Sequence, residues 1–189
     1  MNPRKLLGVS ALALAFSAAF FASPAQAGMI DQVWIGGYAH DISDLGLGKE
    51  SNTTDVQLEV DTGQPSALRF LGAPHLNATL ALNTAGKTDF GAVGLAWDRR
   101  LIGSLYGSLQ FGIGDSDGVT RPSSDPKDRD RLLLGSKALF REAGGVNWRM
   151  KNHWLIGAQF VHASNGLILG RRYNEGINDL GIRIGYRFK

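Results

Sequence analysis

The stretch from Trp154 to the C-terminus constrains the fold more than any other part of the chain. It reads WLIGAQFVHASN, then GLILGRRYNEGIN, then DLGIRIGYRF. Two segments in which apolar residues occupy every second position flank a polar loop. Alternate side chains of a strand point to opposite faces, so each segment has one apolar face, and the pair reads as a hairpin.

The same period of two recurs upstream and predicts eight strands, at about 30–41, 54–70, 74–84, 88–98, 103–114, 131–149, 152–164 and 177–188. On the second, Val56, Leu58 and Val60 share a face and Gln57, Glu59 and Asp61 take the other. A bend is expected at Gly63 to Pro65, because Pro cannot donate to a ladder. On the sixth, Leu134, Ala138, Phe140, Val146 and Trp148 oppose Lys137, Arg141, Asn147 and Arg149.

Charge selects between two barrels that share this alternation. One face carries Glu59, Asp61, Lys137, Arg141, Arg183 and Arg187, while the other is nearly free of charge over the roughly 9–11 residues that a tilted membrane strand needs. A soluble barrel puts its apolar face inward. A membrane barrel puts it outward and pairs its charges in the lumen. Loop lengths favour the second. With the N-terminus starting on the periplasmic side, the long polar segments 42–53, 115–130 and 165–176 all fall outside and the short turns 71–73, 99–102 and 150–151 all fall inside. Bacterial outer-membrane barrels have that asymmetry. In the last strand Leu180, Ile182, Ile184, Tyr186 and Phe188 form one row that ends in two aromatics. The four Trp suit an interfacial belt. The expectation is an all-β chain, an eight-stranded antiparallel transmembrane β-barrel of the outer membrane of a Gram-negative bacterium.

Residues 1–27 read as an address. Arg4 and Lys5 precede an apolar run from Leu6 to Phe21, and Ala25-Gln26-Ala27 is a small-x-small cleavage site. Residues 28–189 are then a single barrel domain. They hold 18 Lys and Arg against 17 Asp and Glu, a balance that does not suggest nucleic acid as a partner. The absence of Cys excludes thiol nucleophiles and thiolate metal sites. His40, His75 and His153 show no metal-ligand spacing, and no metal or cofactor is expected.

Chemistry is expected at the outer end of the seventh strand. Trp154, Ile156, Ala158, Phe160, His162 and Ser164 share one parity, so a His and a Ser end an otherwise apolar, lipid-facing row. Residues two apart on a strand lie on one face about 7 Å apart, within reach of a ring and a hydroxyl. A Ser hydroxyl needs such a base to act as a nucleophile at neutral pH. The plain alternative is a polar pair marking the edge of the hydrocarbon.

The His162-Ala163-Ser164-Asn165 segment, followed by Asn174-Glu175-Gly176-Ile177 and a GYRF ending, resembles the lipid A 3-O-deacylase (PagL-type) family; FRE at 140–142 and LNTAG at 82–86 are similar too. The resemblance implies an eight-stranded outer-membrane esterase that removes the ester-linked 3-position acyl chain of lipid A in lipopolysaccharide. It implies His162 as base and Ser164 as nucleophile, with Asn165, Asn174 and Gly176 shaping an oxyanion hole. The family's third member is a Glu. Its place here holds Asn178, with Glu175 and Asp179 as the nearby acids. Arg171 and Arg172 in the same loop suit lipid A phosphates. A homodimer is left open. Two rival readings share the alternation: a non-catalytic barrel serving adhesion or envelope structure, and a soluble periplasmic β-barrel binding an apolar ligand.

Overall fold

A computed structural model describes residues 30–42, 48–170 and 172–188. The expected address at 1–27 and Arg171 lie outside the described residues. Eight strands form a closed antiparallel barrel in simple sequence order, with the last paired to the first. They are β1 (Ile30–Ala39), β2 (Thr54–Thr62), β3 (His75–Asn83), β4 (Phe90–Ile102), β5 (Leu105–Ser116), β6 (Ala138–Arg149), β7 (Trp154–Ser164) and β8 (Ile177–Arg187). Closure leaves no strand edge unpaired, as lipid requires.

The barrel is inverted. Ile35, Leu58, Leu76, Phe111, Ile156 and Ile182 are exposed on the outside, whereas Gln32, Glu59, Asp61, Gln110, Arg141 and Arg183 are buried inside. A polar interior beneath an exposed apolar surface is the transmembrane arrangement, and it excludes the soluble barrel with an apolar interior.

The lumen is held by paired charges. Glu59 accepts from Arg183 at 3.0 Å and from Gln110 at 2.8 Å, and Arg141 approaches it to 3.9 Å. Asp61 accepts from Asn77 at 2.6 Å and Gln32 at 2.8 Å.

Several expectations need correction. The second strand stops at Thr62 instead of bending on, and residues Ser66–Leu71 form a 3-10 helix entered through Pro65, so this periplasmic connection is longer than the sequence suggests. The sixth strand begins at Ala138, seven residues late. Leu134 is buried in the preceding loop, and Lys137 is exposed there instead of facing the lumen. Trp97, Trp148 and Trp154 face outward near the periplasmic rim, but Trp34 points inward, where Arg183 lies 4.1 Å from its ring. Its parity with the buried Gln32 on β1 carried that information.

At the outer end the loops are joined into one cap. The Glu50 carboxylate accepts from the Thr88 amide and hydroxyl, Arg131 Nε and the Leu132 amide, and contacts His40 Nε2, all between 2.8 and 3.0 Å. Burial alone pushes the Glu50 carboxyl up, but these partners outweigh it and hold the group down at about 2. Burial likewise disfavours the His40 imidazolium, yet its bonds to Asp179, Asp55 and Glu50 push it up to about 12. A depressed carboxyl stabilises the folded state above its unfolded value of 4.5, and that contribution drains away as pH falls toward about 2. The cap is therefore expected to loosen in acid. Hydrogen exchange of the Thr88 and Leu132 amides in micelles should accelerate below pH 4.5 beyond the intrinsic pH dependence. Exchange that merely follows the intrinsic dependence would refute this.

Candidate active site

Strands β6, β7 and β8 position the predicted residues on one outward surface. In register, His162 stands directly opposite Asn178 of β8, and Ser164 stands opposite Phe140 of β6. Leu155, Gln159, Val161 and Ala163 are buried on the lumen side, so the alternate residues His162 and Ser164 complete the outer row as the parity required. Both are half-buried, at the top of the exposed positions Ile156, Ala158 and Phe160.

His162 Nδ1 and Asn178 Oδ1 are 2.8 Å apart. An amide oxygen only accepts, so Nδ1 carries a proton, and in the neutral imidazole the lone pair then sits on Nε2. That tautomer suits a base. Among the described residues no hydrogen bond joins His162 to Ser164. Catalytic contacts of this kind often tighten only when substrate is bound.

The two acids offered as alternatives to Asn178 are engaged elsewhere. Glu175 accepts from Lys49 Nζ at 2.6 and 2.8 Å and from the Leu133 amide at 2.8 Å, tying its loop to two others. Asp179 is fully buried in the lumen, 3.3 Å from His40 Nδ1 and bonded by the Asp41 amide and Gln57. Of the three, Asn178 is the one that meets the ring.

The expected oxyanion residues divide into two kinds. Asn165 is fully buried and its donors are spent. Its amide N–H donates to Asn174 Oδ1 at 2.9 Å, and its Nδ2 donates to the carbonyls of Leu134 and Tyr173, each at 2.6 Å. It works as a strut between the loops before β6 and after β7. Gly135, which adopts a positive φ of 72°, lets the strut pass, since a Cβ there would lie 2.9 Å from Asn165 Nδ2. Asn174 is exposed, and its Nδ2 has no partner among the described residues. Arg172 is exposed, 5.5 Å from the Tyr173 ring. Arg131 of the neighbouring loop is buried against Glu50 and Asp117 and is not available to a ligand.

Gly176 lies against the pair itself. A Cβ added there would stand 2.7 Å from His162 Cε1 and 3.4 Å from Ser164 Cβ. Gly176→Ala should therefore displace the ring. A displacement of about 1 Å of a catalytic group costs on the order of a hundredfold in rate, while Gly176, half-buried just before β8 and outside the strand ladder, leaves barrel stability near wild type. Unchanged turnover would show that the ring is not confined by this glycine.

Sequence spacing gave no sign of the His40 cluster, whose ligand-type atoms on His40, Asp55 and Asp179 lie within 4.8 Å of one another. Both ring nitrogens of His40 face carboxylates, which suits an imidazolium. An imidazolium has no lone pair for a metal.

Comparison with known proteins agrees with this architecture. The chain is similar to the crystal structure of the outer membrane enzyme PagL, with 15% identity, a TM-score of 0.53 and coverage of 84% of this chain and 99% of that one. It is also similar to the N-terminal β-barrel domain of Pseudomonas aeruginosa OprF, with 11% identity, a TM-score of 0.51 and coverage of 84% and 98%. At such identities the likeness speaks for the fold. No curated protein matches the chain. None of these findings supports a homodimer. Residues 118–187, which carry β6, β7, β8 and the loops around the His162–Asn178 pair, are similar to the family model of PagL, lipid A 3-O-deacylase, the same family that the sequence resembles.

Proposed function

We propose that this protein is an outer-membrane serine esterase that hydrolyses the 3-position acyl ester of lipid A in lipopolysaccharide. The carrying observation is the His162 Nδ1 to Asn178 Oδ1 contact of 2.8 Å beside Ser164 on the lipid-facing surface. The family match over residues 118–187 supports the choice of substrate.

In this reading His162 Nε2 takes the proton of Ser164 as Oγ attacks the ester carbonyl carbon. The developing oxyanion is met by the Gly176 N–H and Asn174 Nδ2, while Asn165 holds that loop in place; such preorganised donors are often the largest single contribution to rate. The carbonyl–oxygen bond to the sugar breaks, and His162 returns the proton to the departing sugar hydroxyl. Water then attacks the acyl-serine, with His162 as base, and the fatty acid leaves. Asn178 fixes the ring and its tautomer through its carbonyl, as the amide of a Cys-His-Asn site does. The acyl chain already lies along the apolar row below the site, so it need not leave the bilayer. Arg172 is exposed in the outer loop, at the level of the lipid A phosphates, and its guanidinium can pair with a phosphate.

The test is release of a hydroxy fatty acid from lipopolysaccharide in mixed micelles by the purified, folded barrel. Wild type should release one chain per lipid A. A folded barrel that releases none would favour the non-catalytic reading.

A further inference from the structure

The site as described has an orienting amide but no charge to balance the imidazolium that forms when His162 takes a proton. The strand on the other side of His162 carries one. In register, Glu142 of β6 is directly opposite His162, as Asn178 of β8 is on the far side. Directly opposed residues have Cβ atoms about 4.5–5.5 Å apart, so a Glu carboxylate reaches the ring edge. Glu142 is exposed on the outward face, in a row whose other members are Ala138, Phe140, Gly144, Val146 and Trp148. A carboxylate in that row is unfavourable on solvation grounds, and its in-register neighbour is the one titratable ring on β7. Arg141, next in sequence, points into the lumen toward Gln110 and Glu59 and does not neutralise it. Glu142 and His162 are not in ion-pair contact in this structure.

We infer that Glu142 is a positioning residue for His162: it supplies from β6 the negative charge that Asn178 cannot supply from β8. Orientation and charge, which a single acid provides in a Ser-His-Asp site, are divided here between two neighbouring strands. The inference rests on the esterase reading and adds to it a residue that sequence spacing had not assigned. The signal was present, because Phe140 facing outward puts Glu142 outward as well.

The experiment is a double-mutant cycle on the full chain in lipopolysaccharide micelles, with kcat and KM measured for wild type, Glu142→Gln, Glu142→Asp, Asn178→Asp and the Glu142→Gln/Asn178→Asp pair. Glu142→Gln is expected to lower kcat about tenfold or more with KM little changed, since charge on the imidazolium matters only once the proton has moved. Glu142→Asp is expected to retain most of the rate. Placing a carboxylate on β8 by Asn178→Asp should make Glu142 redundant, so adding Glu142→Gln there costs less than about threefold, a non-additivity typical of groups acting through one partner. A loss of equal size in both backgrounds, or a wild-type kcat in Glu142→Gln, overturns the inference while leaving the esterase reading in place. A wild type that releases no fatty acid overturns both.

Discussion

Ser164→Ala is expected to abolish fatty acid release, lowering kcat by about 10⁴-fold or more while the barrel folds, inserts and shifts on gels as wild type does. Removing the nucleophile of a serine hydrolase costs on the order of 10⁶ in kcat, and what remains comes from the oxyanion hole and binding. Stability should hardly change. Ser164 is half-buried at the end of β7, its loss leaves no buried polar group unpaired, and its neighbour Phe140 keeps its contacts. His162→Ala should be as damaging to turnover and not additive with Ser164→Ala, because the two act as one unit. A residual rate above about a tenth of wild type in Ser164→Ala would assign the chemistry to another group.

The second large effect is expected in the lumen. Glu59 is buried and faces both Arg183 and Arg141. Glu59→Leu leaves two buried guanidinium groups without their carboxylate. Breaking a buried pair from one side typically costs about 3–5 kcal/mol, mostly for the charge left behind. Urea titration of the barrel in vesicles should show that loss. The triple change Glu59→Leu/Arg141→Met/Arg183→Met should recover most of it, because replacing both sides with apolar groups removes the unpaired charge. A triple variant as unstable as the single one would mean that Glu59 matters for some reason other than charge pairing.

The two variants separate the parts of the molecule. Paired charges fill the lumen of the closed cylinder, and the proposed chemistry belongs to the outward face of β6, β7 and β8. Near the outer rim they meet at adjacent residues: Asn178 points out to His162 while Asp179 points in to His40.

That alternation is why so much was legible in the sequence. Parity alone put His162, Ser164 and Asn178 on one face and Asp179 on the other. Charge confined to one parity identified the inverted barrel. What was missed lay outside the strands or depended on register. Nothing local marks Ser66–Leu71 as a 3-10 helix beyond the Pro that precedes it. Glu50 gives no sign in sequence that it joins three connections, because its partners lie 10 to 82 residues away. Asn165 looks like an oxyanion donor by position, yet its side chain is consumed by two backbone carbonyls that only the folded loops bring near it. Glu142 needed the β6–β7 register before it had a neighbour.

The central claim, that the surface around Ser164 cleaves an acyl ester of lipid A, is tested most directly by the mass of lipid A. Cells making ordinary lipopolysaccharide would express either wild type or Ser164→Ala, with equal amounts of folded barrel in the outer membrane. Wild type should convert lipid A to a species lighter by one hydroxyacyl chain, and Ser164→Ala should leave the mass unchanged. Identical lipid A in the two strains would contradict the account.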